Sequence, residues 1–151
     1  MNKVFAKNKR ALFDYEILET FEAGIELRGW EVKAIKTGHI SLKGAFVVIK
    51  NGEAWLLNAN VPPYQPKNTP KDYHPSRTRR LLLTKRELKY LFGKTQEKGL
   101  TLVPLKVYNK KGKKKLEIGV AKGKRKPDKR EAIKKRELKK EIERMLKHKS
   151  L

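Results

Sequence analysis

Cysteine is absent from the 151 residues, which excludes disulfides, thiolate metal sites and a cysteine nucleophile and fits a reducing compartment. No run approaches the ~18 consecutive apolar residues that span a bilayer as a helix. The first ten residues are basic, but no apolar stretch with a small-residue cleavage site follows them. We therefore expect no secretory signal and a cytoplasmic protein. There are only three histidines, His39, His74 and His148, and they lack ligand spacing, so neither a metal nor a cofactor is expected. Acidic residues are scarce and dispersed. They offer no carboxylate cluster for acid–base work, and no glycine-rich phosphate loop follows a strand, so we expect a protein that is not an enzyme.

What the chain has in excess is positive charge: 39 Lys and Arg against 16 Asp and Glu, a formal net charge of +23. Such an excess raises self-repulsion in the folded state and calls for a polyanion to neutralise it. Nucleic acid is the first candidate and an anionic membrane surface the weaker one. The length suits a single domain with a tail. We read residues 1–121 as the domain and residues 122–151 as a basic tail, in which 14 Lys and Arg face 5 Asp and Glu.

Within the domain the apolar pattern is mostly of period two. Ile25 and Leu27, then Trp30, Val32 and Ala34, alternate with charged residues, as in a half-buried strand. Gly29 interrupts the alternation, and Trp30–Lys36 fits a short helix equally well. Ala45–Ile49 and Ala54–Leu57 flank Asn51-Gly52, a pair suited to the positive φ angles of a type I′ hairpin. A second hairpin joins Leu100–Tyr108 to Leu116–Val120 through the basic loop Asn109–Lys115. Pro104 marks its first strand as an edge or a bulge. Five prolines make residues 61–80 an extended loop, and a short strand, Leu81–Leu83, follows. Thr84 and Glu87 form a capping box for a helix over Lys85–Lys98, with Leu88, Leu91 and Phe92 on one face and Gly99 as its stop. About six strands with few apolar residues favour a sheet closed on itself. The expected fold is mainly β with short helices, a closed OB-type barrel, because closure removes exposed edges.

The tail opens with Lys122-Gly-Lys-Arg-Lys-Pro127. Asp128 is a candidate cap, and Leu138, Ile142, Met145 and Leu146 form a narrow helical stripe. A helix over Asp128–Lys149 would be about 33 Å long. Its stripe is thin and its like charges repel, so the tail is expected to be disordered alone and helical when bound to an anionic surface.

Six segments in one order are similar to those of the small protein B family. They are Asn8-Lys-Arg-Ala11, Phe21-Glu-Ala-Gly24, Gly29-Trp-Glu-Val-Lys33, Asn51-Gly-Glu53, Pro75-Ser-Arg-Thr-Arg-Arg-Leu-Leu-Leu83 and Ile118-Gly-Val-Ala-Lys-Gly-Lys-Arg125, the last followed by Asp128-Lys-Arg130. The resemblance implies an OB-type barrel that binds the tRNA-like domain of tmRNA and delivers it to stalled ribosomes. It also implies a tail that occupies the empty mRNA path near the decoding centre, against small-subunit rRNA. No membrane partner is implied, and a monomer is expected. Two positions depart from the family's pattern: Tyr73-His74 stands where His-Asp is usual, and Pro127 where an aromatic or His is frequent. A structural ribosomal protein or general RNA binder would share the composition, but not these motifs in this order.

The candidate RNA-binding residues are Asn8, Lys9, Arg10, Glu22, Gly24, Leu82, Lys113, Lys114 and Lys115. An amide can read a base edge or a 2′-hydroxyl, and cations neutralise phosphate. A frayed basic terminus is the bland alternative for Asn8–Arg10, and a solvated hairpin tip for Lys113–Lys115. Glu22 repels phosphate, yet it can accept from base N–H groups or a 2′-OH. Gly24 permits close backbone approach or a bulge. Leu82 is either core or, as the resemblance implies, an RNA contact. Gly123, Lys124, Asp128, Lys129 and Arg130 are the tail residues that the resemblance assigns to the ribosome. Trp30 and Trp55 read as core.

Overall fold

The computed structural model describes residues 3–124 and 129–148. In chain order the elements are β1 (Val4–Lys7), α1 (Lys9–Asp14), β2 (Tyr15–Ile25), α2 (Gly29–Lys36), β3 (Phe46–Lys50), β4 (Glu53–Leu57), β5 (Arg79–Leu82), α3 (Lys85–Gln96), β6 (Leu100–Lys110), β7 (Lys113–Gly123) and α4 (Lys129–His148). Among the described residues the strands form one seven-stranded sheet in the order β1-β6-β7-β2-β5-β4-β3, with every pairing antiparallel.

The two hairpins form where their turn chemistry directs. Asn51 and Gly52 both have positive φ, 54° and 74°, as a type I′ turn requires. The β6–β7 turn is tighter than expected. Lys111 and Gly112 take the positive φ angles, and Lys110 pairs with Lys113, so most of the expected basic loop is strand. The register slips between Pro104 and Lys106, the bulge that a proline without an N–H invites. Lys122 and Gly123 still pair with Leu100 and Tyr15. The domain boundary expected before Lys122 therefore falls inside β7.

The expectation of a closed barrel is corrected. The sheet curls until β3 lies against β6, and Val47 and Leu102 share one core, but the ends of the sheet, β1 and β3, are not hydrogen-bonded to each other. The cause lies in the register. Strand β1 takes the outer edge of β6 opposite Lys106, Val107 and Tyr108, so part of the edge that β3 would need is occupied. Side-chain packing completes the closure instead. Ala23, Leu56, Leu81, Leu116 and Ile118 point inward, and α2 and α3 add Ala34, Ile35 and Leu91.

Residues 29–36 are helix, not strand. Their buried positions are Glu31, Ala34 and Ile35, a helical i, i+3, i+4 face whose first member is a charged residue. Glu31 accepts from the Arg28 N–H at 2.6 Å and sits at the hub of a buried cluster. Arg77 donates to it at 2.6 and 3.0 Å, and Arg79 donates through Nε at 2.8 Å. The Tyr73 hydroxyl lies 3.0 Å away. Burial alone would raise the Glu31 pKa, but the bonds from Arg77, the Arg28 N–H and Arg79 outweigh it and hold the carboxyl below its usual range. The Tyr73 phenol is pushed up to about 12, by burial first and by Glu31 second. Arg79 also donates to the carbonyls of Ala59 and Pro75. One buried carboxylate thus pins the proline-rich loop to α2, and Tyr73 is part of the pin.

Helix α4 lies on the outer face of β3–β4. Leu146 is buried there with Trp55 and Leu57, and Ile142, Met145, Phe46 and Val48 pack around them.

Candidate RNA interface

Strand pairing decides which candidates share a surface, because residues opposite one another in a sheet point to the same side. Leu82 pairs with Gly24, Gly24 with Lys115, and Lys115 with Tyr108. These four form one lateral row across β5, β2, β7 and β6. Two residues along each strand, Glu22, Glu117 and Lys106 form the next row. On the other side, the Lys110–Lys113 pair forms a third. Inward-facing Ala23 and Leu116 lie between the first two. Glu22, Gly24, Leu82, Lys113 and Lys115 therefore converge on one outer face.

The Glu22 carboxylate accepts from the Tyr108 hydroxyl at 2.5 Å and from Lys110 Nζ at 3.0 Å. These two bonds, the Tyr108 one foremost, hold its pKa below the usual range, and the charges of Lys110 and Lys115 add to them. The Tyr108 phenol is raised in turn, by burial and then by Glu22. Glu22 is thus a fixed anion among cations with acceptor capacity left over, since a carboxylate has about four lone-pair sites. Beside it Leu82 is 48 % exposed. The structure places Leu82 on the surface and not in the core. A Cβ added at Gly24 would stand 3.2 Å from Leu82 Cβ, so glycine lets β5 close on β2 and sets where Leu82 stands.

Lys114 does not belong here. Parity turns it to the opposite face, where it is 7 % exposed. It donates to Asn109 Oδ1 at 2.9 Å and lies over the Phe5 ring, 5.3 Å from the centroid. Burial, with a smaller push from Lys36, holds its pKa below the usual range. Lys114 is thus a packed cation between an exposed Lys113 and a half-buried Lys115.

Asn8 acts as a brace in the fold. Its Oδ1 accepts from the Ala11 N–H at 3.2 Å, which caps α1, and its Nδ2 donates to the Pro104 carbonyl at 2.8 Å. The amide is used inside the protein, where it aims the exposed Lys9 and Arg10 outward. These two are not near Glu22. They adjoin the Tyr15 end of β2, and about 30 Å of strand separates Tyr15 from Gly24. What they do adjoin is the root of the tail. Gly123 pairs with Tyr15, and Lys124 donates from its backbone N–H to Asp14 and from Nζ to Leu12. A cleft of about 670 Å³ is lined by Arg10, Phe13, Lys124, Lys134 and Lys135 among others, with Phe13 well exposed. Lys129 and Arg130 open α4, and Asp128 lies outside the described residues.

Tyr108, Lys110 and Phe13 escaped the sequence reading. The first two carried a signal: Lys106, Tyr108 and Lys110 alternate with inward residues on one strand, a cation–aromatic–cation row of period two.

The chain matches the model of the family described as SmpB protein over residues 5–148. It belongs to the SmpB family. It is 51 % identical over 146 residues to the SsrA-binding protein of Carboxydothermus hydrogenoformans, with 97 % of each chain covered. To the SsrA-binding protein of Thermosipho africanus it is 55 % identical, covering 96 % of this chain and 97 % of the relative. A solved chain described as "tmRNA-SmpB: a journey to the center of the bacterial ribosome" superposes with a TM-score of 0.61 at 44 % identity, over 88 % of this chain and 93 % of that one. The matched span takes in both basic patches and all of α4.

Proposed function

We propose that this SmpB-family chain binds the tRNA-like domain of tmRNA and carries it to stalled ribosomes, where the tail occupies the empty mRNA path. The observation that carries the reading is the outer-face rows of β5, β2, β7 and β6. They place an ionised acceptor (Glu22), an exposed aliphatic (Leu82) and free cations (Lys113, Lys115) within one patch. A surface that only neutralised phosphate would gain nothing from Glu22, which repels it. A surface that reads 2′-hydroxyls and base N–H groups needs such an acceptor. The names of the SsrA-binding relatives and of the solved tmRNA–SmpB chain point the same way.

In this reading the patch around Glu22 recognises the folded RNA, and Lys9 and Arg10 add phosphate contacts at the far end of β2. Gly123, Lys124, Asp128, Lys129 and Arg130 then lead the tail into the small-subunit rRNA. The role is binding and delivery in the cytoplasm, without catalysis. A gel-shift titration of the tRNA-like domain against an unrelated folded RNA of equal length, at about 0.2 M salt, tests it, because that salt weakens purely electrostatic contacts. We expect clear preference for the tRNA-like domain. Equal, salt-sensitive binding to both RNAs would reduce the chain to a general basic RNA binder.

A further inference from the structure

Where the proline-rich loop meets α2 there is a small cleft that the patch around Glu22 does not use. Its volume is about 250 Å³, and its lining includes Gly29, Trp30 and Lys33 of α2 and Tyr64, Gln65 and Asn68 of the loop. Drug-sized ligand sites run to roughly 300–1,000 Å³, so this one has room for a single planar ring and little more.

The lining supplies two rings in different settings. Trp30 is half-buried and stands edge-to-face with Tyr73, the ring centroids 5.5 Å apart and the planes at 82°. Tyr73 is itself fixed by its hydroxyl, which bonds Glu31 and the Val61 carbonyl, so the indole has a rigid backing. Tyr64 is 41 % exposed, and among the described residues no ring contact joins it to Trp30. The space between the two is therefore not filled by their own stacking.

The polar groups are left with capacity to spare. The buried Trp30 indole N–H has no hydrogen-bond partner among the described residues, although buried donors are nearly always paired. One bond of 2.7 Å joins Asn68 Nδ2 to Gln65 Oε1, which leaves Gln65 Nε2 as a donor and Asn68 Oδ1 as an acceptor. Lys33 is exposed and forms no ion pair among the described residues. Gly29 points the same way. Its φ is not positive, and a Cβ there would meet nothing within 4 Å. Neither backbone nor packing asks for glycine, which weakens a helix. Its missing side chain keeps the cleft open beside the first N–H groups of α2, which have no partner within the helix.

We propose that this cleft takes one unpaired nucleotide of an RNA. The base lies between Trp30 and Tyr64, the Gln65 and Asn68 amides meet its edge, and Lys33 meets its phosphate. A nucleobase presents two π faces together with donors and acceptors on its edge. An aliphatic side chain would leave the amides unused, and an acidic one would leave the rings unused. Helix α2 follows β2 after residues 26–28, so at most about 14 Å of chain separates Ile25 from Gly29. The cleft thus adjoins the Gly24 end of the patch. The proposal rests on the proposed function only in taking RNA as the ligand.

The test uses the full-length chain with Trp55→Phe, which leaves Trp30 as the sole tryptophan. Its emission is titrated with hexauridylate, and with an abasic ribose-phosphate hexamer of equal charge, at one fixed salt concentration. We expect quenching by hexauridylate and none by the abasic hexamer. Tyr64→Ala should raise the midpoint of quenching at least about fivefold, since stacking of one base on an aromatic ring is worth that or more. Gly29→Leu puts a side chain into the cleft and should abolish the quenching, while the thermal unfolding midpoint holds or rises because leucine is the better helix former. No quenching by hexauridylate would overturn the proposal. So would equal quenching by the two hexamers, which marks a phosphate site, or quenching indifferent to both substitutions. Neither hexamer is tmRNA, so loss of preference for the tRNA-like domain in the gel shift would remove the proposed function without touching these spectra.

Discussion

Glu22 and Glu31 are both carboxylates with lowered pKa values, and they do different work. Glu31 is wholly buried among two guanidiniums and a phenol, and removing one partner of such a cluster leaves an uncompensated charge. We expect Glu31→Ala to cost about 3–5 kcal/mol in urea unfolding. Because the folded-state pKa lies below the ordinary 4.5, the contribution of Glu31 is fully present above that value. It is lost as the pH falls through the lowered one, so the gap between wild type and variant should close only in strongly acid buffer. Glu22 is partly open to solvent, and its bonds to Tyr108 and Lys110 hold its carboxylate in one orientation. Leu82→Ala should leave stability within about 0.5 kcal/mol, as at other exposed sites. It should also weaken binding of the tRNA-like domain about tenfold, since covering one leucine is worth about 1.5 kcal/mol. A large loss of stability with RNA binding unchanged would return Leu82 to the core. Glu22, Gly24 and Leu82 were legible only through the family's motifs, since nothing local to a lone acid or a leucine triplet marks it for RNA. Tyr108 lies 86 positions from Glu22, and only the pairing of β6, β7 and β2 brings them together.

The elements that local chemistry dictates were readable: the Asn51-Gly52 hairpin, the Pro104 bulge, and the reciprocal Thr84–Glu87 cap of α3, with bonds of 3.0 and 3.2 Å. Those that depend on a distant partner were not. Helix α2 was ambiguous because its buried face begins with Glu31, which counts as polar until Arg77 and Arg79 arrive from 46 and 48 residues away. Barrel closure failed as an expectation because α1 and its cap, Asn8, tie β1 onto β6. Asn8 donates from its backbone to Leu105 and from its side chain to Pro104, beside the bulge. That bulge packs tightly on its neighbour. A Cβ at Gly119 would come within 2.9 Å of Leu105 Cδ1 and 3.3 Å of Ile17 Cγ2. Gly119→Ala should therefore cost about 1–3 kcal/mol by overpacking, read as a lower urea midpoint with unchanged slope.

At the scale of the whole molecule, the +23 charge was legible as an RNA signal but not as two surfaces. Composition cannot say that α1 and the tail root share one end of β2 while Glu22, Leu82 and Lys115 share the other. The separation makes a quantitative claim about salt. Each lysine–phosphate contact adds about 0.9 to the slope of log K against log salt on duplex RNA, if it behaves as duplex DNA does. Lys113→Ala with Lys115→Ala should reduce that slope for the tRNA-like domain by about two if both lysines reach phosphate. Lys134→Glu with Lys135→Glu reverses two exposed cations on α4 and should leave the slope for the tRNA-like domain unchanged, yet lower rescue of stalled ribosomes in a reconstituted translation assay. Equal loss of slope from both pairs would mean that the tail shares the tRNA-like domain with the barrel. Loss from the tail pair alone would move the recognition surface to the α1–α4 cleft, where Phe13 is the exposed ring.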